Sequence, residues 1–420
     1  MTKERLFTPY QTFVIAVLAL LQFAIVLDFM VISPLGAQLM PTLGITTAQF
    51  GLVVSAYAFS AGASGLLAAG FADRYDRKQL LLFFFAGFII GTFLCGIAPT
   101  YHLLLAARVI TGIFGGVIGS VSFAIITDLF QAQVRGRVMG FVQMAFAVSQ
   151  VLGLPAGLYF SNIWDWHAPF LMIVAFTLPL WVVLFFKLQP VNAHLALQKS
   201  ESAFGHLIAT LSNKFYQRSY AATILLATGG FMLMPFGSAY AVNNLKIDLA
   251  DLPKIYLVTG ITSIIAGPLI GKAVDKFGAM RIFTIGTALA ITLIITYCHL
   301  EATPLWAVMA LNAALFVGIT ARMISTSTLF SSIPTATDRG AFMGVGASIS
   351  QISGGFATAF AGLIVMQSPD GHLNNYPLLG WVVAGSMVAC VGLVWGIWRA
   401  VKRRAIFEEL KVNEGEILIN

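Results

Sequence analysis

Ala69-Gly-Phe-Ala-Asp73-Arg74-Tyr-Asp76-Arg77-Lys78 returns 202 positions later as Gly271-Lys-Ala-Val-Asp275-Lys276-Phe-Gly278-Ala-Met-Arg281. In each copy a long apolar run ends, a short charged turn follows, and a new apolar run begins. A second match lies further along each half. Val134-Arg135-Gly136-Arg-Val-Met139-Gly140 corresponds to Asp338-Arg339-Gly340-Ala-Phe-Met343-Gly344, at an offset of 204. Two independent matches at nearly one offset describe a chain of two halves with the same topology.

Outward from these turns the sequence resolves into twelve apolar runs, near residues 11–36, 48–70, 79–98, 102–127, 137–160, 168–187, 217–243, 253–273, 281–300, 304–330, 340–366 and 377–398. The hydrocarbon core of a bilayer is about 30 Å thick, so a helix needs roughly 20 apolar residues to cross it. Composition agrees: 58% of residues are hydrophobic and 10% charged, where a soluble domain carries about 25% charged residues. Continuous rather than alternating runs exclude a closed barrel and leave helices. The expected fold class is therefore all-α and integral to the membrane, with twelve transmembrane helices in two pseudo-symmetric six-helix bundles. The bundles are expected over 1–188 and 217–398. Between them, 189–216 forms a linker in which Phe204, Leu207, Ile208, Leu211 and Phe215 follow helical spacing after the possible caps Ser200 and Ser202. That pattern predicts a short helix on the membrane face. Residues 399–420 form a basic tail.

Charge sets the orientation. Twenty lysines and arginines fall on the side of the two chain ends, against Lys246 and Lys254 on the other side, while Arg108 and Arg322 lie within runs. This asymmetry predicts a multi-pass protein of the inner (plasma) membrane with both termini cytoplasmic. The net charge of +7 is thus a topology signal. Nucleic-acid binding would require the bases on one face, and here they are spread over seven segments. The first run is too long for a cleavable signal. Cys95, Cys298 and Cys390 offer neither a disulfide framework nor zinc spacing. Gly267-Pro-Leu-Ile-Gly271-Lys272 fails as a phosphate loop, the six histidines lack ligand spacing, and no nucleophile elbow occurs. No enzyme, metal or cofactor is expected.

The Asp73–Lys78 segment resembles the signature Gly-x-x-x-Asp-Arg-x-Gly-Arg-Lys between the second and third helices of the major facilitator superfamily of secondary transporters. Gly271–Gly278 is the second copy, closer at its glycines; Ala69 and Asp76 replace two glycines in the first. Arg108-Val-Ile-Thr-Gly112 resembles the family's Arg-x-x-x-Gly motif. Leu27-Asp28-Phe-Met-Val-Ile-Ser-Pro34 resembles the first helix of its twelve-span drug:proton antiporter branch, and Gly153-Leu-Pro155-Ala-Gly157 only partly matches that branch's fifth-helix motif. The resemblance implies alternating access between two rocking halves, with helices one, four, seven and ten around a central site. It also implies a cytoplasmic latch, in which Asp73 faces the start of helix eleven near Arg339 and Arg77 reaches Asp128, with Arg74 and Asp275 in the same turns.

Independently of the family, Asp28 lies roughly 24 Å above the inner end of the first run, and Arg108 roughly 9 Å below the outer end of the fourth. An acid and a base at similar depth in hydrocarbon are functional candidates by default. Desolvation and the neighbouring guanidinium act on the Asp28 carboxyl in opposite senses, so a change in either can load or release a proton. The blander alternative is a static pair tying two helices together. Arg322, in the inner third of the tenth run, is expected to snorkel to the cytoplasmic surface. The helices that the resemblance places around the cavity offer Gln22, Thr111, Phe231, Phe236, Asn312 and Phe316, with Gln143 and Gln150 from the fifth run. Few charges and many aromatics favour a hydrophobic or amphipathic substrate. The expected activity is proton-coupled export of such a molecule by a monomer, with protons as the coupling ion. The alternatives are transport of a polar metabolite such as a sugar, with Arg108, Arg322 and Asn312 as ligands, and a transport-inactive receptor or scaffold.

Overall fold

A computed structural model of the chain describes residues 7–192, 195, 203–334 and 338–417; the side chains at 69, 70, 73, 132, 203–207, 339, 340 and 404–417 fall outside that description. Among the described residues twelve helical segments are long and apolar enough to cross a membrane. They are Pro9–Val31, Thr47–Ala68, Arg77–Cys95, Tyr101–Leu129, Gln133–Ile163, Ala168–Lys187, Lys214–Asn243, Leu249–Phe277, Ala279–Cys298, Leu305–Ser331, Ala341–Ile364 and Tyr376–Arg403, numbered here as spans 1 to 12. Large apolar side chains such as Leu67, Phe83, Phe186 and Trp306 stand exposed around the bundle, which is stable only in lipid. The side bearing the turns that follow spans 2, 4, 8 and 10 is called the inner side and the opposite one the outer side.

Short polar residues start these helices by meeting otherwise orphaned N–H groups. Thr8 and Gln11 form a reciprocal capping box ahead of span 1, and Thr46 and Gln49 repeat it ahead of span 2. Thr100 caps span 4 and Asn213 caps span 7. Span 1 stops at Val31, short of the expected residue 36, because the chain turns through Ile32–Leu35 into a short outer helix, Gly36–Leu43. The last helix runs unbroken over Tyr376–Ile417, past the expected start of the tail. There Arg399 lies 3.5 Å above the Trp395 ring and Lys402 5.5 Å from that of Trp398, pairs one helical turn apart that suit a juxtamembrane helix. The linker helix is Ala203–Ser212; Ser200 and Ser202 lie outside the described residues, as do the side chains of Phe204 and Leu207. Outside span 12's start, Met366–Gln367 pairs antiparallel with Leu373–Asn374, and Asn244 of the adjoining loop bonds both backbone groups of Leu373.

The two charged turns solve one problem in two ways. Gly278 adopts φ +89°, where a side chain is strained. Its counterpart Asp76 stays at φ −58° and accepts the Lys78 and Gln79 N–H groups at 2.7 and 3.3 Å. The first copy therefore needs no glycine there. Gly278→Ala is expected to destabilise the protein by about 1–3 kcal/mol, as ψ there is 142°, and Asp76→Ala by about 1 kcal/mol through its lost cap, both read as lowered unfolding temperatures in detergent.

The halves meet along two seams. Spans 2 and 11 pack closely over most of their length, from Gly51 beside Thr358 and Gly362 to Gly65 beside Ser348. Spans 5 and 8 touch only in their outer parts, where Val151 lies against Gly260. Among the described residues every hydrogen bond between the halves lies at the outer end. Thr47 Oγ1 donates to Val365 O at 2.5 Å, Ser238 Oγ to Ser33 O at 3.1 Å, and Asn162 Nδ2 to Leu249 O at 3.0 Å. Toward the inner side, Gly140 of span 5 and Gly267 and Gly271 of span 8 face open space. The molecule is closed outside and parted inside along the 5/8 seam.

Candidate functional site

Span 4 approaches span 2 because Gly112 and Gly116 carry no side chain: a Cβ there would lie 2.6 Å from Tyr57 O and 2.2 Å from Ala61 O. This contact carries Arg108 into the interior of the first half. Arg108 Nη1 donates to Asp28 Oδ2 at 2.9 Å and to Asp28 O at 3.3 Å, and both side chains are 0% exposed. Thr92 of span 3 donates to Asp28 Oδ1 at 3.1 Å. The guanidinium carbon lies 4.6 Å from the Tyr57 ring centre, while Nε and Nη2 have no partner. Four spans thus converge on one ion pair. Thr92 and Tyr57 escaped the sequence reading because threonine and tyrosine are unremarkable in apolar runs. The available signal was depth, since Asp28 and Thr92 both lie three residues from the outer ends of their spans.

A neutral carboxyl would lose most of its attraction for Arg108, whereas the ionised form in a dry site is held strongly. The arrangement can therefore convert a proton into a change in how spans 1 and 4 hold together. Nothing in it supplies a nucleophile or a metal set.

The other sequence-derived residues scatter. Phe231 is half-buried with its ring 5.7 Å from Phe29, and Asn312 and Phe316 are half-buried on span 10. Asn312 Nδ2 bonds its own helix at Val308 O. Gln22 is half-buried, Gln150 buried and Gln143 exposed. Two residues depart from the cavity wall. Thr111 is fully buried, donating to Ala107 O and lying 3.9 Å from Cys95 between spans 3 and 4. Phe236 is fully buried in the outer seam, its ring 6.0 Å from Phe50. Which face of a helix looks inward depends on neighbours that one sequence does not reveal.

At the inner side Arg77 is nearly buried. Its Nε meets Asp128 Oδ2 at 3.3 Å and its Nη1 donates to Ala72 O at 2.7 Å. Arg135, not singled out from sequence, donates to Phe130 O and Thr127 O at 2.9 and 2.6 Å and so caps the end of span 4. Asp275 and Arg74 are exposed. The side chains of Asp73 and Arg339 lie outside the described residues. Arg77→Ala is expected to lower stability by about 1–3 kcal/mol, because a buried carbonyl and a carboxylate lose their donor. Thermal unfolding checks it, with Arg74→Ala as a silent control.

The sequence pattern of the Major Facilitator Superfamily matches residues 18–358. The chain is 29% identical over 273 residues to the uncharacterized MFS-type transporter YceJ of Bacillus subtilis (strain 168), covering 64% of this chain and 68% of that one. It is 36% identical over 119 residues to Multidrug resistance protein 3 of the same organism, covering 28% of this chain but only 23% of that one. Among solved structures, a bacterial homolog of the human lysosomal transporter Spinster, inward-facing and occupied, superposes with a TM-score of 0.69 at 18% identity, over 94% of this chain and 98% of the other. The nucleoside transporter NupG gives 0.71 at 15% identity, over 92% and 99%. These two likenesses show the fold; the pattern matched across residues 18–358 shows the family, and the chain belongs to the Major Facilitator Superfamily, a secondary transporter of small molecules and not an enzyme.

Proposed function

We propose that this transporter exports a hydrophobic or amphipathic small molecule in exchange for protons, and that Asp28 is the proton-binding group. The observation that carries this reading is the Asp28–Arg108 pair, sealed at 0% exposure and completed by Thr92. A charge pair at this depth costs several kcal/mol to bury, and its retention is best explained by use. In the proposed orientation both termini are cytoplasmic, the membrane is the plasma (inner) membrane, and the state described is inward-facing. A proton arriving from outside would neutralise Asp28, loosen it from Arg108 and favour inward opening; substrate entering from the cytoplasm would favour its release. Arg77 with Asp128 belongs to the inner latch of this cycle, in which Asp73 is assigned the partner role toward span 11. The half-buried Gln22, Phe231, Asn312 and Phe316 line the path.

The relative named a multidrug resistance protein supports a drug-like substrate. A sugar-like substrate would need Arg108 as a ligand, and that side chain is sealed beside Asp28 at 0% exposure. In proteoliposomes carrying the full chain, adding ethidium to a preformed inside-acid gradient should drive ethidium inward with matching proton efflux. Ethidium movement that ignores the gradient would overturn the coupling.

A further inference from the structure

Thr92 spends its hydroxyl proton unlike most threonines buried in the spans. Thr111, Thr177, Thr259, Thr287 and Thr326 each donate to the carbonyl four residues back, at 2.7–3.0 Å, the usual way a helical threonine satisfies its polar group. Thr92 is 0% exposed and donates to Asp28 Oδ1 at 3.1 Å. Among the described residues it makes no bond to Phe88 O, the carbonyl four residues back on its own helix. Nor does packing call for a hydroxyl here. At the offset of 202 the second half carries Ile294, buried at 1% exposure, and Gly230 in place of Asp28. At the offset of 204 Asn312 stands in place of Arg108 and bonds its own helix. A branched apolar side chain serves at position 294, where no acid has to be met.

The two oxygens of Asp28 face partners of different kinds. Oδ2 meets Arg108 Nη1 at 2.9 Å, and a guanidinium can only donate. A proton on Oδ2 would point at a donor and a positive charge. Oδ1 meets a hydroxyl, which can accept and donate at once. The second half displays that double role. Thr287 Oγ1 accepts from Arg322 Nη1 at 3.1 Å while donating to Phe283 O at 2.7 Å. Arg322 is thereby held at 4% exposure and does not snorkel to the inner surface, as its sequence position suggested.

We propose that the transported proton binds Asp28 at Oδ1 and that Thr92 is the positioning residue that receives it. The new O–H of the acid donates to Thr92 Oγ1, and the Thr92 hydroxyl turns its own hydrogen to Phe88 O. One O–H bond forms, none breaks, and Arg108 never faces an acid proton. The other titratable side chains grouped here are the Tyr57 phenol of span 2 and the Cys95 thiol of span 3. Among the described residues no second carboxylate and no imidazole faces the pair. The inference rests on Asp28 being the proton-binding group, and adds which oxygen takes the proton and which neighbour sets its affinity.

The test follows the carboxyl itself, by infrared difference spectroscopy on the full chain in lipid, beside gradient-driven ethidium uptake in proteoliposomes. Lowering the pH of wild type should bring up a carboxylic C=O band that Asp28→Asn lacks. Thr92→Val keeps the branched shape and removes the hydroxyl, so the acid loses its acceptor and the band should move to higher frequency. The band should also become half-maximal at about tenfold lower proton concentration, because a hydrogen bond to the charged form is worth more than one to the neutral form. The pH dependence of uptake should move with it, and Thr92→Ser should restore both. A band and a pH midpoint unchanged in Thr92→Val would overturn the role of Thr92 while leaving Asp28 as the proton site. A band that persists in Asp28→Asn would overturn both. If Thr92→Val does not elute as a monodisperse protein, Thr92→Ala against Thr92→Ser makes the same comparison.

Discussion

Asp28→Asn should reduce proton-driven accumulation to background while the protein still folds, inserts and binds substrate. The amide is nearly the same shape as the carboxyl, and its oxygen can still accept from Thr92 or Arg108, which sit at 3.1 and 2.9 Å from the present carboxylate. The expected loss of stability is about 1–3 kcal/mol, as for a weakened hydrogen bond to a charged group. Truncation to Ala would strand a buried guanidinium and cost about 3–5 kcal/mol. Arg108→Lys should keep only part of the activity, since an ammonium can hold the acid but forfeits the guanidinium's contact with the Tyr57 ring, whose centre lies 4.6 Å away. Accumulation, substrate exchange and monodisperse elution are measured on the same preparations. Undiminished gradient-driven uptake in Asp28→Asn would return the pair to a static tie between spans 1 and 4.

Gly362→Val should force the outer seam apart. A Cβ at Gly362 would stand 2.9 Å from Thr47 O and 3.2 Å from Ala48 Cα, and one at Gly51 would stand 3.1 Å from Thr358 O. These are backbone atoms, which cannot swing aside as a side-chain tip can. Overpacking of this kind costs about 1–3 kcal/mol. Here it falls only on the outward-closed state, where the Thr47–Val365 bond is made. The inward-to-outward ratio should therefore fall by roughly five- to a hundredfold. With the three buried native cysteines replaced, a cysteine at Phe29 should react faster with an impermeant thiol reagent added from outside. Gly267→Ala, facing open space, should leave the rate unchanged. Equal rates in Gly362→Val and its parent would mean that this seam does not govern access.

Much of the architecture is legible in the sequence because a bilayer imposes so coarse a filter. Any run of about 20 apolar residues must be read as a span, and twelve such segments are present among the described residues. Repeated charged turns add the two-half topology, and depth alone suggests that Asp28 and Arg108 lie at one level. What the sequence withholds is azimuth. Thr111 and Phe236 sit on spans that border the centre, yet one faces span 3 and the other the outer seam. An all-round apolar helix has no polar stripe to reveal its inward face. Arg322 misled for a related reason, since snorkelling is a statement about reach and the direction of the side chain decides it. The Asp76 turn is a different case. Its departure from glycine looked like a defect in the motif and is instead a capping residue that makes the glycine unnecessary.

Span 5 carries one wide π-type turn at Ser149–Gly153, where Ser149 Oγ bonds Phe23 O. One row of its buried residues runs Val142, Ala145, Ser149, Gly153, Gly157 and Ser161, beside Val138, Gln150, Leu154 and Leu158. Steps mostly of four residues advance an α-helix by about 400° each, at about 100° per residue, so the series outruns regular winding. By Ser161 the accumulated lead is about 100°, or one residue. The wide turn absorbs that residue. Length and rotation are therefore interchangeable along this span: deleting one residue at the wide turn would close it to a regular α-turn with both ends facing as they do now, whereas deleting one elsewhere would turn one end of the span about a quarter of the way round its axis. Residues now packed against span 1 would face lipid, and a change of count would act as a change of compass bearing.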